Sequence, residues 1–478
     1  MLRSIRRLLS GPSEETRIND GEYEPLSVGD DSSSHGGRDE EIRLNEASRH
    51  QPQVYLCFWI LGAGVLMAWN ALICTIPLLT TFFPTNSTSN LKSNLASYIS
   101  TSFCFGNLFF LGLAQRNVRK TSPSKRIHWS LLLLLISSII FTFPLLPLIL
   151  PSLSSSSNET ILFLTIILIT FVLSISTAYL QSGVFALSSL WGSKEILAVM
   201  SGQGGIAFLV SLIQLLLAII SSQSKTKSEE DEPESSASNL AGVGLWALGS
   251  IGTIACLFAH RYLINHPDYS IITNNSSNAP RLSDSTIPHR DEKKGVTKKV
   301  LKKNLSLMVA VAYVFIVTLS IFPAVTTTIL STHQPTPRLL QPDVFIPLHF
   351  LIFNIGDYCG RTYLPSIKSL FTTSPARLLS LSLLRTIFIP LLFLCNTTPR
   401  SSTPIINSDL MYFLVIISLG LTNGYIGSLC MIVASSPEMN KRIEEDERDI
   451  AGTLASFCLV AGLAGGSAAS FLVAYLIK

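Results

Sequence analysis

Charged residues are scarce in this chain. Asp, Glu, Lys and Arg make up 14% of its 478 residues, against about 25% in an ordinary soluble domain. Hydrophobic residues make up 47%. This composition excludes a single water-facing domain, because the apolar residues exceed what one interior of that size can hide.

Several motifs of chemistry are also missing. The eight cysteines show no CxxC spacing, which argues against a zinc site or a disulfide framework. No GxxxxGK[ST] loop occurs, so ATP-driven transport is excluded. The apolar blocks lack paired carboxylates and histidine clusters, which argues against a membrane enzyme. We therefore expect no cofactor, no metal, no enzymatic activity and no nucleic-acid partner.

The apolar residues are arranged in long blocks. A helix that crosses about 30 Å of hydrocarbon needs about 20 apolar residues, whereas strands of membrane barrels are short and alternate. The chain is therefore predicted to be an all-α polytopic membrane protein with eleven transmembrane helices. The predicted spans are Val54–Phe83, Leu95–Gln115, Ile127–Leu150, Ile161–Trp191, Ile196–Ser222, Leu240–Ala259, Leu305–Leu330, Val344–Leu370, Leu378–Cys395, Leu410–Ala434 and Ile450–Ile477.

The spans fall into groups of six and five. The predicted domains are a disordered cytosolic tail (1–53), a six-helix bundle (54–264), a linker (265–303) and a five-helix bundle (304–478). Two such halves are typical of the major facilitator fold, whose substrate site lies between them. Lys and Arg are concentrated in alternate connections, the linker above all. Since such residues favour the cytosolic side, we expect a cytosolic N-terminus and an extracellular or lumenal C-terminus.

The connections on the two sides of the membrane carry sequons and a basic segment, and each of these has two interpretations. The opposite connections hold glycosylation sequons at Asn86, Asn158 and Asn396, which suit a lumenal or extracellular loop. The alternative is chance, because Ser and Thr are abundant here. The basic end of the linker is suited to anionic lipid headgroups, or is simply a topology signal.

Ionisable side chains inside a span are costly and are therefore candidates for function. Asp357 and Arg361 lie in the eighth span and Arg385 in the ninth. The first two are four residues apart and share one helix face, together with Asn354. A carboxylate accepts hydrogen bonds and a guanidinium donates them, so the pair is suited to a polyhydroxyl substrate such as ribose. The alternative is an ion pair that only lowers the cost of burying both charges.

Two further polar or aromatic residues lie in the middle of spans. Trp69 is away from the interfacial belt where Trp is usual, and an indole is able to stack on a nucleobase. Gln181 is an amide suited to a base edge. The alternatives are helix packing for Trp69 and an interhelical hydrogen bond for Gln181.

At these residues the sequence resembles the equilibrative nucleoside transporter family, over nearly all the membrane region. Seven short motifs in the right order resemble helices of that family. They are Leu66–Asn70, AYLQSGVFAL followed by Met200–Gly204, Ile321–Thr326, Phe353–Arg361, IPLLFLCN, Asn423–Met431 and AGTLASFCLVAGLAGGSAASF. Two positions depart from it: Ala68 stands where relatives often carry Pro, and Gly356 where they often carry a bulky residue.

The resemblance implies roles for individual residues. Leu66, Trp69 and Ile73 are expected to form the base-side wall and Gln181 to bind the base. Asp357 and Arg361 are expected to bind the ribose hydroxyls. The remaining cavity or gate residues implied by the resemblance are Phe322, Phe350, Asn354 and Ile426.

The mechanism expected from this pattern is facilitated diffusion of nucleosides by alternating access. Arg116, Arg361 and Asp449 are expected to form a cytosolic gate, the alternative being solvated loop charges. A proton-coupled nucleoside or nucleobase symporter remains an alternative, as does a carrier of another small polar solute. The outer sequons suit a plasma membrane or a vacuolar or lysosomal membrane.

Overall fold

Long helices dominate the structure, a computed structural model that describes residues 51–81, 83, 91, 95–116, 121–142, 159–224, 235–277, 290–397 and 404–477. The predicted tail, apart from its last three residues, lies outside the described residues, as do Asn86 and Asn158. Fourteen α-helices are described: α1 Pro52–Thr81, α2 Leu95–Arg116, α3 Pro123–Thr142, α4 Glu159–Trp191, α5 Ser193–Ser224, α6 Ser235–Ile264, α7 Asp268–Ser277, α8 Arg290–Lys303, α9 Leu305–Ile321, α10 Pro342–Thr362, α11 Pro375–Leu384, α12 Phe388–Phe393, α13 Asp409–Ser435 and α14 Arg448–Ile477.

Each predicted span coincides with a helix or a pair of helices. Eight helical segments of the described chain are long and apolar enough to cross a membrane. The other three predicted spans are α2, α3 and α10, which have 22, 20 and 21 residues. The predicted fold class is confirmed, while the count of eleven membrane crossings stays a prediction.

Two of the predicted spans differ from the helices of the structure. The seventh block was predicted to run to Leu330, but α9 ends at Ile321. The next residue precedes Pro323, and a residue before proline avoids the helical region. Phe322 accordingly has an extended backbone. The ninth block is not one helix: a 3₁₀ turn at Arg385–Ile387 separates α11 from α12.

A glycine makes the tight turn between α4 and α5. Gly192 is the single residue between these helices and has a φ of 148°, a conformation that side chains with a Cβ rarely adopt. The chain thus passes from α4 into α5 through one residue. Among the described residues, Gly192 is the glycine with a positive φ.

The helices pack in two groups. In the first, α1 contacts α5 and α6, and α4 contacts α2 and α3. In the second, α10 contacts α13, and α9 contacts α11, α13 and α14. The groups meet where α5 lies along α10 and where α14 lies along α2 and α4. The central cavity described below lies between these two lines of contact.

The predicted linker, residues 265–303, contains α7 and α8 and defines what we call the linker end of the molecule. Val300 on α8 is fully buried. At the end of α8, Lys303 Nζ donates to Glu444 Oε1 at 2.8 Å and to Glu447 Oε2 at 2.6 Å. The hydrogen bond from Lys303 lowers the pKa of Glu444. These contacts attach the linker to the segment that precedes α14.

Two glycine pairs bring α10 and α13 into backbone contact. Gly356 and Gly360 on α10 face Gly420 and Gly424 on α13. Each pair has the GxxxG spacing that permits close approach of membrane helices. A methyl group at Gly424 would overlap the backbone oxygen of Asp357, and one at Gly356 would overlap that of Ile417. The unusual Gly356 therefore removes bulk where the two backbones touch.

The predicted small-residue runs also allow close approach. A methyl group at Gly202 would meet the backbone oxygen of Trp59 on α1. A methyl group at Gly462 would meet the backbone oxygen of Ala312 on α9. These two glycines thus pack helices within one group.

The α10–α13 contact can be tested at Gly424. We predict that Gly424→Ala destabilises the protein by about 1–3 kcal/mol, the usual effect of overpacking a tight interface. The measurement is the thermal unfolding midpoint of the detergent-purified protein. Gly244→Ala is the matched control, since nothing lies within 4 Å of the added methyl and Ala favours a helix. Equal midpoints for the two variants would contradict the contact.

Candidate functional site: a polar cavity between the helix groups

A cavity of about 240 Å³ lies between the two helix groups. It contains nine of the ten predicted substrate residues: Leu66, Trp69, Ile73, Gln181, Phe322, Phe350, Asn354, Asp357 and Arg361. Ile426 is not among the lining residues; it is 2% exposed and packs in the hydrophobic core. Both groups contribute walls, so residues far apart in the chain meet here.

Each carboxylate oxygen of Asp357 accepts a hydrogen bond from the protein. Arg361 Nε donates to its Oδ2 at 2.7 Å, and Asn423 Nδ2 donates to its Oδ1 at 2.7 Å. Asp357 is 4% and Arg361 5% exposed. A buried ion pair is stable only with good geometry and further hydrogen bonds, and Asn423 supplies one. Because one site of each carboxylate oxygen is used, each keeps a second acceptor site.

A second buried cation is connected to this pair through hydrogen bonds of Thr318 and Asn423. Arg385, at 2% exposure, donates through Nη2 to Thr318 Oγ1 at 2.7 Å, and Thr318 donates to Asn423 Oδ1 at 2.8 Å. Arg385 Nη1 donates to Thr422 Oγ1 at 2.6 Å. A continuous network thus runs from the interior of the second group to the cavity wall. It orients Asn423 toward Asp357.

Arg361 also joins the two helix groups. Its Nη1 donates to Gln203 Oε1 on α5 at 3.2 Å. One turn away, Ser201 Oγ and Thr362 Oγ1 are 2.7 Å apart. These contacts lie on the linker side of the cavity. Gln203 was not predicted, although its amide stands in an otherwise apolar span.

Aromatic rings form two opposite walls. The rings of Trp69 and Phe103 are 4.8 Å apart in the first group. In the second group, Phe322 stacks on Phe353 at 4.2 Å and meets Phe350 edge-on at 5.1 Å. The extended backbone at Phe322, which ends α9, places this ring among the others. A planar ligand would therefore meet aromatic surface on either side.

Gln181 does not face the cavity freely. Its Nε2 donates to Ser456 Oγ on α14 at 2.9 Å. The predicted alternative, an interhelical hydrogen bond, is therefore present, and it joins the two helix groups. Gln181 still lines the cavity. Its oxygen is the atom that this bond leaves for a ligand.

Sequence reasoning missed most of the polar lining. These residues carry amides or hydroxyls rather than charges, and only their occurrence within apolar spans marks them. They are Asn70, Asn107, Thr177, Gln203, Ser211, Gln214, Thr318 and Asn423. No group of three or more His, Cys, Asp or Glu in the described part of the chain is arranged to hold a metal.

Comparison with known proteins places the cavity in context. The family described as nucleoside transporter matches residues 257–475. Equilibrative nucleoside transporter 1 of Rattus norvegicus is 28% identical over 474 residues, covering 90% of this chain and 99% of that protein. Equilibrative nucleoside transporter 2 of Homo sapiens is 27% identical, covering 89% and 97%. Nucleoside transporter FUN26 of Saccharomyces cerevisiae is 24% identical, covering 88% and 84%.

The chain is similar to equilibrative nucleoside transporters over nearly its whole length, and residues 257–475 match the nucleoside transporter family. It is therefore a multi-pass integral membrane protein and a transporter rather than an enzyme. This confirms the resemblance seen in the sequence motifs.

Solved structures of major facilitator transporters are similar in fold to this protein. The major facilitator transporter FucP in its outward conformation matches with a TM-score of 0.51 and 12% identity, covering 90% of this chain and 99% of that one. A double Trp mutant of XylE matches with a TM-score of 0.51 and 14% identity, covering 88% and 86%. At these identities the likeness shows the major facilitator type of fold and nothing about substrate.

In this transporter the predicted gate residues lie at the linker end. Arg116 is exposed at the last position of α2, and Asp449 is in the first turn of α14. A second cation on α3, Arg126, is 5% exposed and interacts electrostatically with Asp449. It donates to Ser182 Oγ on α4. Sequence reasoning counted Arg126 only as a loop charge, because the distance between α3 and α14 is not readable from the chain.

Of the three predicted sequons, only Asn396 lies in the described part of the chain. Its Nδ2 donates to the backbone oxygen of Leu330 at 3.0 Å, so the amide helps to join the segments after α9 and α12. Its glycosylation stays a prediction.

Proposed function

We propose that this protein carries nucleosides across a membrane by facilitated diffusion, with the central cavity as the site. The observation that carries the proposal is the division of this cavity into aromatic walls and a charged polar end at Asp357 and Arg361. Relatives named as nucleoside transporters over nearly their whole length support the substrate class. The two parts suit the two halves of a nucleoside, a planar base and a polyhydroxyl sugar.

The base is proposed to lie against Trp69 and Phe103. Stacking of a base on an aromatic ring is worth about 1–3 kcal/mol and tolerates any base, since every base has a π-face. Leu66 and Ile73 on α1 complete this wall, and the oxygen of Gln181 is proposed to accept from the base. This arrangement suits both purine and pyrimidine nucleosides.

The ribose is proposed to lie between Asn354, Asp357 and Arg361. The free acceptor sites of Asp357 take the sugar hydroxyl hydrogens, while Asn354 donates to a sugar oxygen. Because Arg361 and Asn423 already fix the carboxylate, the site is preorganised and little ordering cost falls on binding. Phe322 and Phe350 are proposed to close the cavity on the side away from the linker.

The transport cycle is proposed to be alternating access. The two helix groups rock around the cavity, and each half-cycle breaks the contacts at one end. At the linker end these are Arg361 with Gln203 and Ser201 with Thr362. At the opposite end Arg338 donates to the backbone oxygen of Ser222 on α5.

The linker end is proposed to face the cytosol. Exposed basic residues there include Lys125, Lys298 and Lys302, in keeping with the preference of Lys and Arg for the cytosolic side. The C-terminus is then extracellular or lumenal, in a plasma membrane or a vacuolar or lysosomal membrane. The outer face of α8 is proposed to touch anionic lipid headgroups.

Facilitated diffusion is favoured over proton coupling by the contacts of Asp357. Its Oδ2 accepts from Arg361 and its Oδ1 from Asn423, and breaking a buried ion pair costs several kcal/mol. A symport mechanism that used Asp357 would have to break these bonds in each cycle.

Uptake into proteoliposomes tests the proposed function. We predict saturable entry of radiolabelled uridine and adenosine up to, but not above, the external concentration. An imposed pH gradient should leave the initial rate unchanged, because facilitated diffusion moves no proton with the nucleoside. Accumulation above the external concentration under the gradient would favour the proton-coupled alternative. Absence of nucleoside entry would contradict the proposal.

A charge exchange tests the proposed gate. Arg126→Glu and Asp449→Arg are each expected to lower the initial uptake rate by about tenfold, within the 5–150-fold range of typical coupling energies. The double variant should recover most of the loss, because opposite charges face each other again. Uptake is normalised to the amount of reconstituted protein.

The double variant Arg116→Glu with Asp449→Arg is the control, since Arg116 and Asp449 are the pair predicted from the sequence. We expect this double variant to recover little of the uptake rate, because Arg116 is exposed at its helix end. Recovery with Arg116 but not with Arg126 would assign the gate to the pair predicted from the sequence.

A further inference from the structure

We propose that Asn107 determines base specificity: its Oδ1 accepts a hydrogen bond from an N–H group on the edge of the transported base. The inference rests on the proposed function and names a contact that neither the sequence motifs nor the comparisons assign. Asn107 lies on α2, in the wall formed by the first helix group.

The side chain of Asn107 is buried, lines the cavity and has an unpartnered acceptor. It is 5% exposed, and its Oδ1 has no hydrogen-bond partner in the described structure. An unpaired buried amide oxygen is unfavourable, and such groups in native proteins call for an explanation. A ligand donor in the cavity supplies one.

Other amides in the same wall are already engaged. Asn70 Nδ2 donates to the Leu66 backbone oxygen at 2.9 Å, and Gln181 Nε2 donates to Ser456. Gln203 Oε1 accepts from Arg361, and Asn423 Nδ2 donates to Asp357 Oδ1. Each of these four amides therefore has a partner in the protein. Asn107 is buried with its oxygen unpartnered, so this oxygen is available, beside that of Gln181, to a donor on the base.

The position of Asn107 suits the edge of a base rather than a sugar. Phe103 precedes it by one helical turn and lies against Trp69. Four residues of helix correspond to about 6 Å, so a base stacked on this aromatic pair extends toward Asn107. The sugar is directed to the opposite polar end, at Asp357 and Arg361.

The chemistry of an acceptor predicts the ligands. Adenine and cytosine carry an amino group on their pairing edge, and uracil and guanine carry a ring N–H there. A single carbonyl oxygen therefore accepts from each natural nucleoside. A base without any N–H on that edge leaves the oxygen unpaired. Purine riboside, which is adenosine without its amino group, is such a ligand.

The experiment compares uptake of adenosine and purine riboside into proteoliposomes. For the wild type we expect kcat/KM for adenosine to exceed that for purine riboside by about tenfold, the loss associated with one buried hydrogen bond. Asn107→Leu should bring the ratio close to one by lowering adenosine uptake. Asn107→Asp, which keeps an acceptor, should retain the preference for adenosine.

Two controls separate specificity from folding. Purine riboside uptake reports folded transporter in every variant, since this ligand does not use the proposed bond. Thr170→Val removes a buried hydroxyl on α4 that bonds its own helix backbone at Ile166, and it should keep the wild-type ratio. If Asn107→Leu takes up neither compound, the ratio of kcat/KM for adenosine to that for purine riboside is measured in Asn107→Ala, which has a smaller side chain, and this ratio then tests the role of Asn107.

The outcomes distinguish this inference from the proposed function. Nucleoside uptake with a ratio that Asn107→Leu or Asn107→Ala leaves unchanged overturns the role of Asn107 alone. A wild type that does not distinguish the two compounds overturns it as well. Absence of all nucleoside uptake by the wild type overturns the proposed function, and this inference with it.

Discussion

The buried carboxylate of Asp357 is the constraint on which the rest of the structure depends. A charge inside a membrane protein has to be paired and hydrogen-bonded, and Asp357 obtains this from Arg361 and Asn423. Asn423 is in turn oriented by Thr318, which accepts from Arg385. Three helices of the second group therefore converge on one carboxylate. The packing of those helices and the polarity of the cavity have a common cause.

Backbone contact between α10 and α13 makes this convergence possible. Asn423 has a short side chain and bonds Asp357 only if the two helices almost touch. The facing glycines permit that approach, and Gly424 lies directly against the backbone of Asp357. The glycine at position 356 extends the contact by one turn. The facing glycines therefore bring Asn423 close enough to Asp357 to form their hydrogen bond.

The sequence was informative where a residue breaks a pattern. Asp357 and Arg361 interrupt apolar spans, Trp69 lies away from the interface, and all three line the cavity. It was less informative for Asn107 and Asn423, because an uncharged amide in a span is ordinary and its partner is on another helix. Ile426, which the resemblance assigned to the cavity or its gates, packs in the core. The electrostatic interaction of Arg126 with Asp449 depends on the distance between two helices, which no local pattern encodes.

The most direct test of the account compares Asp357→Asn, Arg361→Gln and the double variant in the detergent-purified and reconstituted protein. The double variant removes both charges of the pair, whereas Asp357→Asn alone leaves Arg361 and Arg385 buried without their carboxylate, at about 3–5 kcal/mol. The account predicts that each single variant loses uptake, that Asp357→Asn loses the most thermal stability, and that the double variant regains part of that stability without regaining nucleoside uptake. Wild-type uptake by the double variant would contradict it, because the pair would then be only structural.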